Sequence, residues 1–234
     1  RALRAALPGV RDMEGLSVLV SAGGTRESLD PVRYLGNRSS GLMGHALAAA
    51  AEARGASVSL VTTSRLMAPR GVEVVKVDTA AEMAEALRAR VESSDILVMA
   101  AAVADFRPRE VAVQKIRKAD VPNPLELERN EDIVASIDPG AGGRLVKVGF
   151  AAETHEVLAR AQHKLIAKRL DLVVANDVAD PNIGMGSPDN AVTIIGRDGS
   201  QLRVERAPKE DVAHEILSAA LAVLRAAREG EQGL

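Results

Sequence analysis

Two clusters rich in glycine and hydroxyl side chains stand close together near the start of the chain. Residues 23–25 (GGT) follow a short apolar run, and residues 39–41 (SSG) precede an alanine-rich run. Glycines let backbone N–H groups approach an anion closely, and free N–H groups at a helix N-terminus favour phosphate. The pair of clusters therefore predicts that Gly24 and Ser40 bind phosphate. Each cluster alone is equally well explained as a tight turn or a helix cap.

Asn37 and Arg33 lie between these clusters. An amide donates and accepts hydrogen bonds at once, so Asn37 is a candidate for orienting a carboxylate or amide substrate. A loop position in the left-handed conformation explains it as well. Arg33 is either a clamp for phosphate or carboxylate or a solvated surface charge.

Residues 101–108 (AAVADFRP) leave a predicted strand with an acid and an aromatic ring. Asp105 is a candidate acceptor for a base or sugar and a candidate Mg²⁺ ligand, or else the ion-pair partner of Arg107. Phe106 and Phe150 both fall at the C-terminal ends of predicted strands and are two of the three aromatic residues in the chain. They offer a stacking surface for a nucleobase, or they close the edge of the core.

Cations are concentrated at two further places. Residues 114–118 (QKIRK) begin their basic run at Lys115, and this run is either a basic lid over a polyphosphate or a solvated face. Lys164 and Lys168 are four residues apart on a predicted helix and therefore share one face. They reach a phosphate or are ordinary surface lysines.

The elements that must position these residues alternate between strand and helix. Apolar and amphipathic patterns predict strands at 16–21, 57–62, 72–77, 95–100, 145–150 and 171–175, helices at 42–54, 80–92, 154–169 and 208–228, and a hairpin at 191–205. This alternation indicates an α/β fold, a Rossmann-like open, mostly parallel sheet with helices on both faces. Ligands bind beyond the carboxyl ends of such strands, so one rim is expected to carry the loops 21–41, 62–70, 100–130, 150–154 and 175–190.

Composition sets the class of protein. The chain has 234 residues, 47% of them hydrophobic, a net charge of −2 and no cysteine. It has no basic footprint for nucleic acid or an anionic membrane, and no disulfide or thiol chemistry of its own. We expect a cytoplasmic protein with a linker remnant at 1–14, one domain at 15–228 and a disordered tail at 229–234. The long segment 106–130 is expected to be a functional loop or an interface excursion.

Two rival function classes are an NAD(P)-dependent reductase on the same sheet and a nucleotide-sensing module without catalysis. The reductase is disfavoured because the second strand ends in residues 61–65 (VTTSR), without the acid that would hold an adenosine ribose. Tyr34 has Arg38, and not a lysine, four residues further on. The four histidines form no zinc-like spacing.

Six motifs together resemble the phosphopantothenoylcysteine synthetase family over about residues 15–225. In chain order they are SAGGTRESLDPVRYLGNRSSGLMG, AAVADFRP, KIRK, NEDIV, VGFAAET and ANDV. The resemblance implies a homodimer that uses CTP and Mg²⁺ to join 4′-phosphopantothenate to L-cysteine through an acyl-cytidylate. In many bacteria this enzyme is the C-terminal half of a bifunctional coenzyme A biosynthesis protein, fused to an N-terminal flavin-dependent decarboxylase domain.

The resemblance also implies roles for individual residues. Lys115 matches a catalytic lysine, and Asn37 matches an asparagine that handles the substrate and the acyl-cytidylate, with Ala101 and Arg33 as further candidate substrate contacts. Nucleotide-binding positions, together with Phe106 from the ring argument, are Ala101, Asp105, Lys115, Asn130, Glu131, Asp132, Ile133, Phe150, Lys164 and Lys168. Two residues depart from the family pattern: Arg117 stands for a lysine and Glu131 for a proline. A less rigid turn is expected at Glu131.

Overall fold

The computed structural model describes residues 11–117, 124–137, 145–153, 155–177 and 186–232. Lys118 of the basic motif and residues 1–10 of the expected linker lie outside these ranges. The elements in chain order are β1 (Ser17–Ala22), β2 (Arg26–Ser28), β3 (Tyr34–Gly36), α1 (Leu42–Ala53), β4 (Ser57–Thr62), β5 (Glu73–Lys76), α2 (Ala80–Val91), β6 (Ile96–Met99), β7 (Phe106–Pro108), β8 (Leu127–Arg129), α3 (Ile133–Ser136), β9 (Val146–Glu153), α4 (Val157–Ala167), β10 (Leu172–Asp177), β11 (Asp189–Gly196), β12 (Gln201–Pro208) and α5 (Lys209–Gln232).

An eight-stranded sheet of order β12-β11-β10-β9-β6-β1-β4-β5 organises the chain. Pairing is parallel from β10 to β5 and antiparallel at the β10–β11–β12 edge. The predicted open, mostly parallel α/β fold is therefore confirmed. Strand order reverses between β1 and β6, because β4 and β5 lie on one side of β1 and β6, β9 and β10 on the other. A sheet of this kind leaves a crevice at the carboxyl ends of its two reversal strands.

Helices cover both faces of the sheet, and each face has its own apolar core. Val18 packs with Leu47 of α1 and Ile216 of α5, whereas the next residue, Leu19, packs with Leu87 of α2 on the opposite face. Successive side chains of a strand point to opposite faces, so an apolar run such as β1 has to be buried on both sides. This explains why the central strands are continuously apolar.

Each predicted strand and helix is present, with its ends shifted by a few residues. Thr79 caps α2: its hydroxyl accepts the Glu82 N–H, and the Glu82 carboxylate accepts the Thr79 N–H. The last helix, α5, continues to Gln232, so residues 229–232 are helical and do not form the expected disordered tail. The antiparallel ribbons β2–β3 and β7–β8 and the single turn α3 were not predicted, because three or four residues carry too little periodicity.

A buried arginine ties the segment before β1 to two helices. Arg54, at the end of α1, donates from Nε and Nη2 to the two carboxylate oxygens of Asp12 at 2.8 Å. Its Nη1 donates to His214 O at 3.1 Å and to Ser218 Oγ at 3.2 Å, both on α5. The Arg54 side chain is only 4% exposed, and its hydrogen bonds hold the pKa of Asp12 below the usual value. The guanidinium thus depends on Asp12 for its counter-charge.

We expect Asp12→Asn to lower the free energy of unfolding by about 2–4 kcal/mol at pH 7, because it leaves a buried guanidinium without its counter-charge. Urea denaturation followed by circular dichroism measures this. Since folding depresses the pKa of Asp12, its contribution is complete above the unfolded pKa of about 3.9 and is lost as the pH falls through the folded value. The difference in the free energy of unfolding between the variant and wild type should therefore become smaller at acidic pH.

The matched control is Glu14→Gln, which removes a carboxylate that pairs with Arg11 where both side chains are more than half exposed. This variant should stay within about 0.5 kcal/mol of wild type. Equal losses in the two variants would contradict the role of burial.

Candidate functional site

A cleft of about 420 Å³ opens at the carboxyl edge of the parallel strands, on the predicted rim. It brings together the N-terminus of α1, the loop after β6, the start of α3 and one face of α4. The predicted site residues that line it are Asn37, Ser40, Ala101, Asp105, Asn130, Glu131, Asp132, Ile133, Phe150, Lys164 and Lys168. Most of the site predicted from the sequence is therefore assembled around one cavity.

The N-terminus of α1 forms one end of the cleft. Its cap residue, Gly41, has a φ of 84°, and a Cβ there would lie 2.7 Å from Ser64 Cβ. Ser64 Oγ in turn donates to Ser40 O at 2.8 Å, so the helix start is pressed onto the segment after β4. A glycine cap has no side chain to accept the first-turn N–H groups, and Leu42 N makes only a long 3.4 Å hydrogen bond to Ser40 Oγ. The helix start is consequently left open toward an anion.

Gly24 lies outside the cleft lining and has a different structural role. A Cβ on Gly24 would stand 2.6 Å from Asn37 O, so this glycine allows two backbone segments to touch. Its carbonyl accepts the Thr63 hydroxyl at 2.8 Å. Gly24 therefore places Asn37 against the sheet, and its predicted phosphate contact stays a prediction.

Asn37 is held by the loop after β6. Its Nδ2 donates to Ala102 O at 3.2 Å and to Val103 O at 3.1 Å. Carbonyl oxygens can only accept, so both amide hydrogens face the loop and Oδ1 is left to accept from a ligand. The amide is thus oriented to hold an N–H or O–H group, whereas the sequence left open whether it would donate to a carboxylate.

Asn130 offers a second acceptor in the same cleft. Its backbone N–H donates to Asp105 O at 2.9 Å, and its Nδ2 donates to Ala104 O at 2.8 Å. Its Oδ1 is buried and has no hydrogen-bond partner within the described residues. A buried acceptor without a partner is costly, so this atom suits an amino group of a bound base.

Two lysines of α4 build the wall beside Asn130. Lys164 Nζ donates to Phe150 O at 2.5 Å, and Lys168 Nζ pairs with Asp132 Oδ2 at 2.9 Å. Asp132 also caps α3, because its Oδ1 accepts the Ala135 N–H. The lysines thus share one face, as predicted, and they connect α4 to β9 and to α3.

Glu131 forms an ion pair with a neighbouring helix, and the less rigid turn expected at this residue stays a prediction. Its carboxylate accepts from Arg88 of α2, which also donates to Ser136 Oγ at 3.0 Å. The hydrogen bond from Arg88 lowers the pKa of Glu131. Where the family pattern has a proline, this chain connects the start of α3 to α2 by a side-chain ion pair.

Three polar lining residues were not selected from the sequence: Asn176, Asn190 and Lys209. Lys209 is 7% exposed, donates to Ser187 O, and has its pKa lowered by burial. Asn176 is the penultimate residue of β10, while Asn190 and Lys209 lie at the two open ends of the β11–β12 hairpin. Antiparallel pairing with β10 brings those ends to the rim, and the predicted hairpin alone did not specify this pairing.

Three other predicted residues lie outside the cleft lining. Arg33 donates to Asp30 and to Ile116 O, and Lys115 is exposed on the segment between β7 and β8. Phe106 is 46% exposed on β7. Of the two rings proposed for stacking, Phe150 is the one in the cleft.

The end of β4 bears on the reductase alternative. Thr63 and Ser64 stand where a dinucleotide-binding protein would hold its ribose, and their hydroxyls are bonded to Gly24 O and Ser40 O. Both are buried.

Within the described ranges, no group of three or more acidic or histidine side chains is arranged to hold a metal ion, and no helix is long and apolar enough to cross a membrane.

Comparison with known proteins agrees with this architecture. Relatives include the coenzyme A biosynthesis bifunctional protein CoaBC of Vibrio parahaemolyticus, 45% identical over 208 residues, and that of Bacillus subtilis, 44% identical over 207 residues. Each alignment covers 88% of this chain, but only 52% and 51% of the relatives. The chain thus spans about half the length of the curated relatives it matches.

Solved structures agree as well. The crystal structure of the C-terminal domain of a CoaBC protein is 35% identical, with a TM-score of 0.79, over 92% of this chain and 99% of that one. A histidine-to-alanine mutant of Cab2 in complex with phosphopantothenate-cysteine shares the fold, with a TM-score of 0.76 at 16% identity, over 94% and 89% of the two chains. The family model for the DNA/pantothenate metabolism flavoprotein C-terminal domain matches residues 13–224, and this chain belongs to that family.

Proposed function

We propose that this chain joins 4′-phosphopantothenate to L-cysteine with CTP, through an acyl-cytidylate, and releases phosphopantothenoylcysteine, CMP and pyrophosphate in coenzyme A biosynthesis. Family membership, the names of the relatives and the 35% identical C-terminal domain support the proposal. In the full-length protein we expect a fused N-terminal flavin-dependent decarboxylase domain, as the bifunctional relatives suggest.

The observation that carries the proposal is the pairing of two kinds of subsite in one cleft. The uncapped start of α1 suits phosphate groups. The wall formed by the buried Asn130 acceptor, the Phe150 ring and the α4 lysines suits a base with an exocyclic amino group, such as cytosine. Asn37 lines the same cleft, and we propose that the acyl group being activated lies beside it.

In the first step, a carboxylate oxygen of phosphopantothenate attacks the α-phosphorus of CTP, and the bond to the β-phosphate breaks to release pyrophosphate. In the second, the cysteine amine attacks the acyl carbon, loses a proton, and CMP leaves. Negative charge accumulates in the first step, so the fixed N–H groups of α1 and nearby cations such as Lys209 stabilise it. Because the Nδ2 hydrogens of Asn37 are bonded to the loop after β6, its Oδ1 is the atom that can accept a hydrogen bond from the attacking amine.

The cleft suits a Mg²⁺ held mainly through the nucleotide phosphates. Glu131 and Asp132 are each paired with a cation, Arg88 and Lys168, whereas Asp105 is exposed at the cleft and would be the protein ligand. Bound there, Mg²⁺ would neutralise phosphate charge.

The proposed function is tested by incubating the protein with CTP, Mg²⁺ and phosphopantothenate, with and without cysteine. We expect pyrophosphate from the first step and CMP only when cysteine is added. Nucleotide binding without pyrophosphate release would indicate a sensor and contradict the proposal. A parallel reaction with ATP tests the choice of base.

We expect Asn37→Asp to slow cysteine-dependent CMP release on the order of 100-fold, because a carboxylate cannot donate to the Ala102 and Val103 carbonyls and will be displaced from its position. Pyrophosphate and CMP are measured separately so that the two steps are resolved. Gln201→Glu makes the same amide-to-acid change on an exposed residue of β12 and should leave turnover unchanged. Normal CMP release by Asn37→Asp would remove the amide from the mechanism.

A homodimer is part of the proposal. The two short ribbons and the segment between β7 and β8 expose large apolar side chains, which typically mark a protein interface. They are Val32, Tyr34, Phe106, Val111, Val113, Leu125 and Leu127. Lys115 lies on this same surface and outside the cleft of its own chain, so we propose that it serves the cleft of the partner chain.

Sedimentation should give a dimer at micromolar concentration, and mixed variants test the exchange of Lys115. Asn37→Asp and Lys115→Gln should each be nearly inactive. If Lys115 acts in the partner's cleft, re-equilibrated mixed dimers contain one intact site, and the mixture reaches about a quarter of wild-type turnover. A monomer, or no recovery in a mixture shown to contain mixed dimers, would contradict this arrangement.

A further inference from the structure

A buried carboxylate closes the turn between β2 and β3. Asp30 is 2% exposed, and its Oδ1 accepts the backbone N–H groups of Val32 and Arg33, both at 2.8 Å. Its Oδ2 accepts from the Arg33 side chain, with Nε at 2.9 Å and Nη2 at 2.5 Å. The hydrogen bond from Arg33 holds the pKa of Asp30 well below its usual range, so the pair is ionic at neutral pH.

The same pair reaches one residue far away in the chain. Arg33 Nη2 donates to Ile116 O at 2.9 Å, and the Ile116 N–H donates to Asp30 Oδ2 at 3.2 Å. Both backbone groups of Ile116 are therefore held by one ion pair. A further backbone bond, from Ala112 N to Leu29 O at 3.0 Å, joins the two segments four residues earlier.

Ile116 stands immediately after Lys115 and immediately before Arg117. Both neighbours are exposed, so no burial of their own side chains fixes them. A backbone fixed at both its N–H and its C=O restricts the positions that the adjacent side chain can reach, and charged partners make these bonds stronger than neutral ones. The turn of the β2–β3 ribbon is thus hydrogen-bonded to the backbone of the basic motif at Ile116.

We propose that Asp30 and Arg33 are positioning residues that anchor the segment 112–117 through the backbone of Ile116 and thereby set the reach of Lys115. The anchoring itself follows from the contacts. The catalytic consequence rests on the proposed function, in which Lys115 acts on the bound nucleotide. Arg33 then contributes to the reaction through Ile116, and not as the direct substrate contact expected from the sequence.

The anchor is tested first without any assay of activity. Trypsin cleaves after Lys115 and Arg117, on either side of Ile116. In Asp30→Asn the charge that holds Arg33 and Ile116 is lost, so we expect cleavage at these two sites to accelerate on the order of tenfold. Deuterium exchange of the peptide that spans residue 116 should accelerate in parallel, with the rest of the described protein unchanged.

Asp78→Asn is the matched control. Asp78 also pairs with an arginine, Arg26, at 2.9 Å, but it is exposed and belongs to a different ion pair. It should leave the cleavage rate at Lys115 and Arg117 and the turnover unchanged. Arg33→Lys, which keeps the charge but loses the forked geometry, should accelerate cleavage less than Asp30→Asn does and serves if the latter folds poorly.

The second test asks whether the anchor acts through Lys115. Introduced alone, Asp30→Asn should lower the rate of pyrophosphate release. Introduced into the Lys115→Gln variant, it should add less than about twofold to the loss that Lys115→Gln already causes. An equal fold-loss in both backgrounds would show that Asp30 acts elsewhere, and unchanged trypsin cleavage would overturn the anchor. If wild type formed no acyl-cytidylate, the proposed function would fail, while the cleavage and exchange results would still decide the anchor.

Discussion

The close packing of the loop after β1 onto the end of β4 is the constraint on which the site depends. Two glycines make it possible: a Cβ at Gly23 would collide with Thr63, and one at Gly41 would collide with Ser64, while Gly24 lets the chain at Asn37 pack against the same loop. Because the loop lies this close, the start of α1 is brought to the reversal point of the sheet. The hydroxyls that support it, on Thr63 and Ser64 directly after β4, occupy the place of a dinucleotide ribose. One packing contact therefore favours one class of nucleotide site and disfavours another.

This packing also decides the chemistry of Asn37. Once the chain at Asn37 is held against the loop after β6, its amide hydrogens find the carbonyls of Ala102 and Val103, and the acceptor oxygen alone is left. An acceptor holds the amine that attacks an acyl group, whereas a donor would hold the carboxylate that precedes it. The orientation of one amide thus connects the local backbone with the second half of the proposed reaction. No sequence pattern contains this orientation, because it depends on carbonyls 65 and 66 residues away.

The sequence predicted the sheet and most of the cleft because both follow from long periodic elements. Strands such as β1 and β6 are buried on both faces, and the rim rule then brings Ser40, Asp105 and Asn130 together without any knowledge of contacts. It did not predict the ribbons β2–β3 and β7–β8, whose three-residue strands are defined by partners and not by pattern. It also missed Lys209, since a lysine at a helix start has no signal of its own until antiparallel pairing brings it to the rim.

The two departures of this chain from the family pattern lie at positions that are held in different ways. The proposed anchor consists of hydrogen bonds to the N–H and C=O of Ile116. An arginine in place of lysine at residue 117 therefore leaves the anchor intact. At residue 131 the start of α3 is held by a side-chain ion pair with Arg88 in place of a stiff ring. A proline in place of Ile116 would be different, because it removes the N–H that Asp30 accepts. The side chains around the motif can therefore vary more freely than the backbone geometry that carries Lys115.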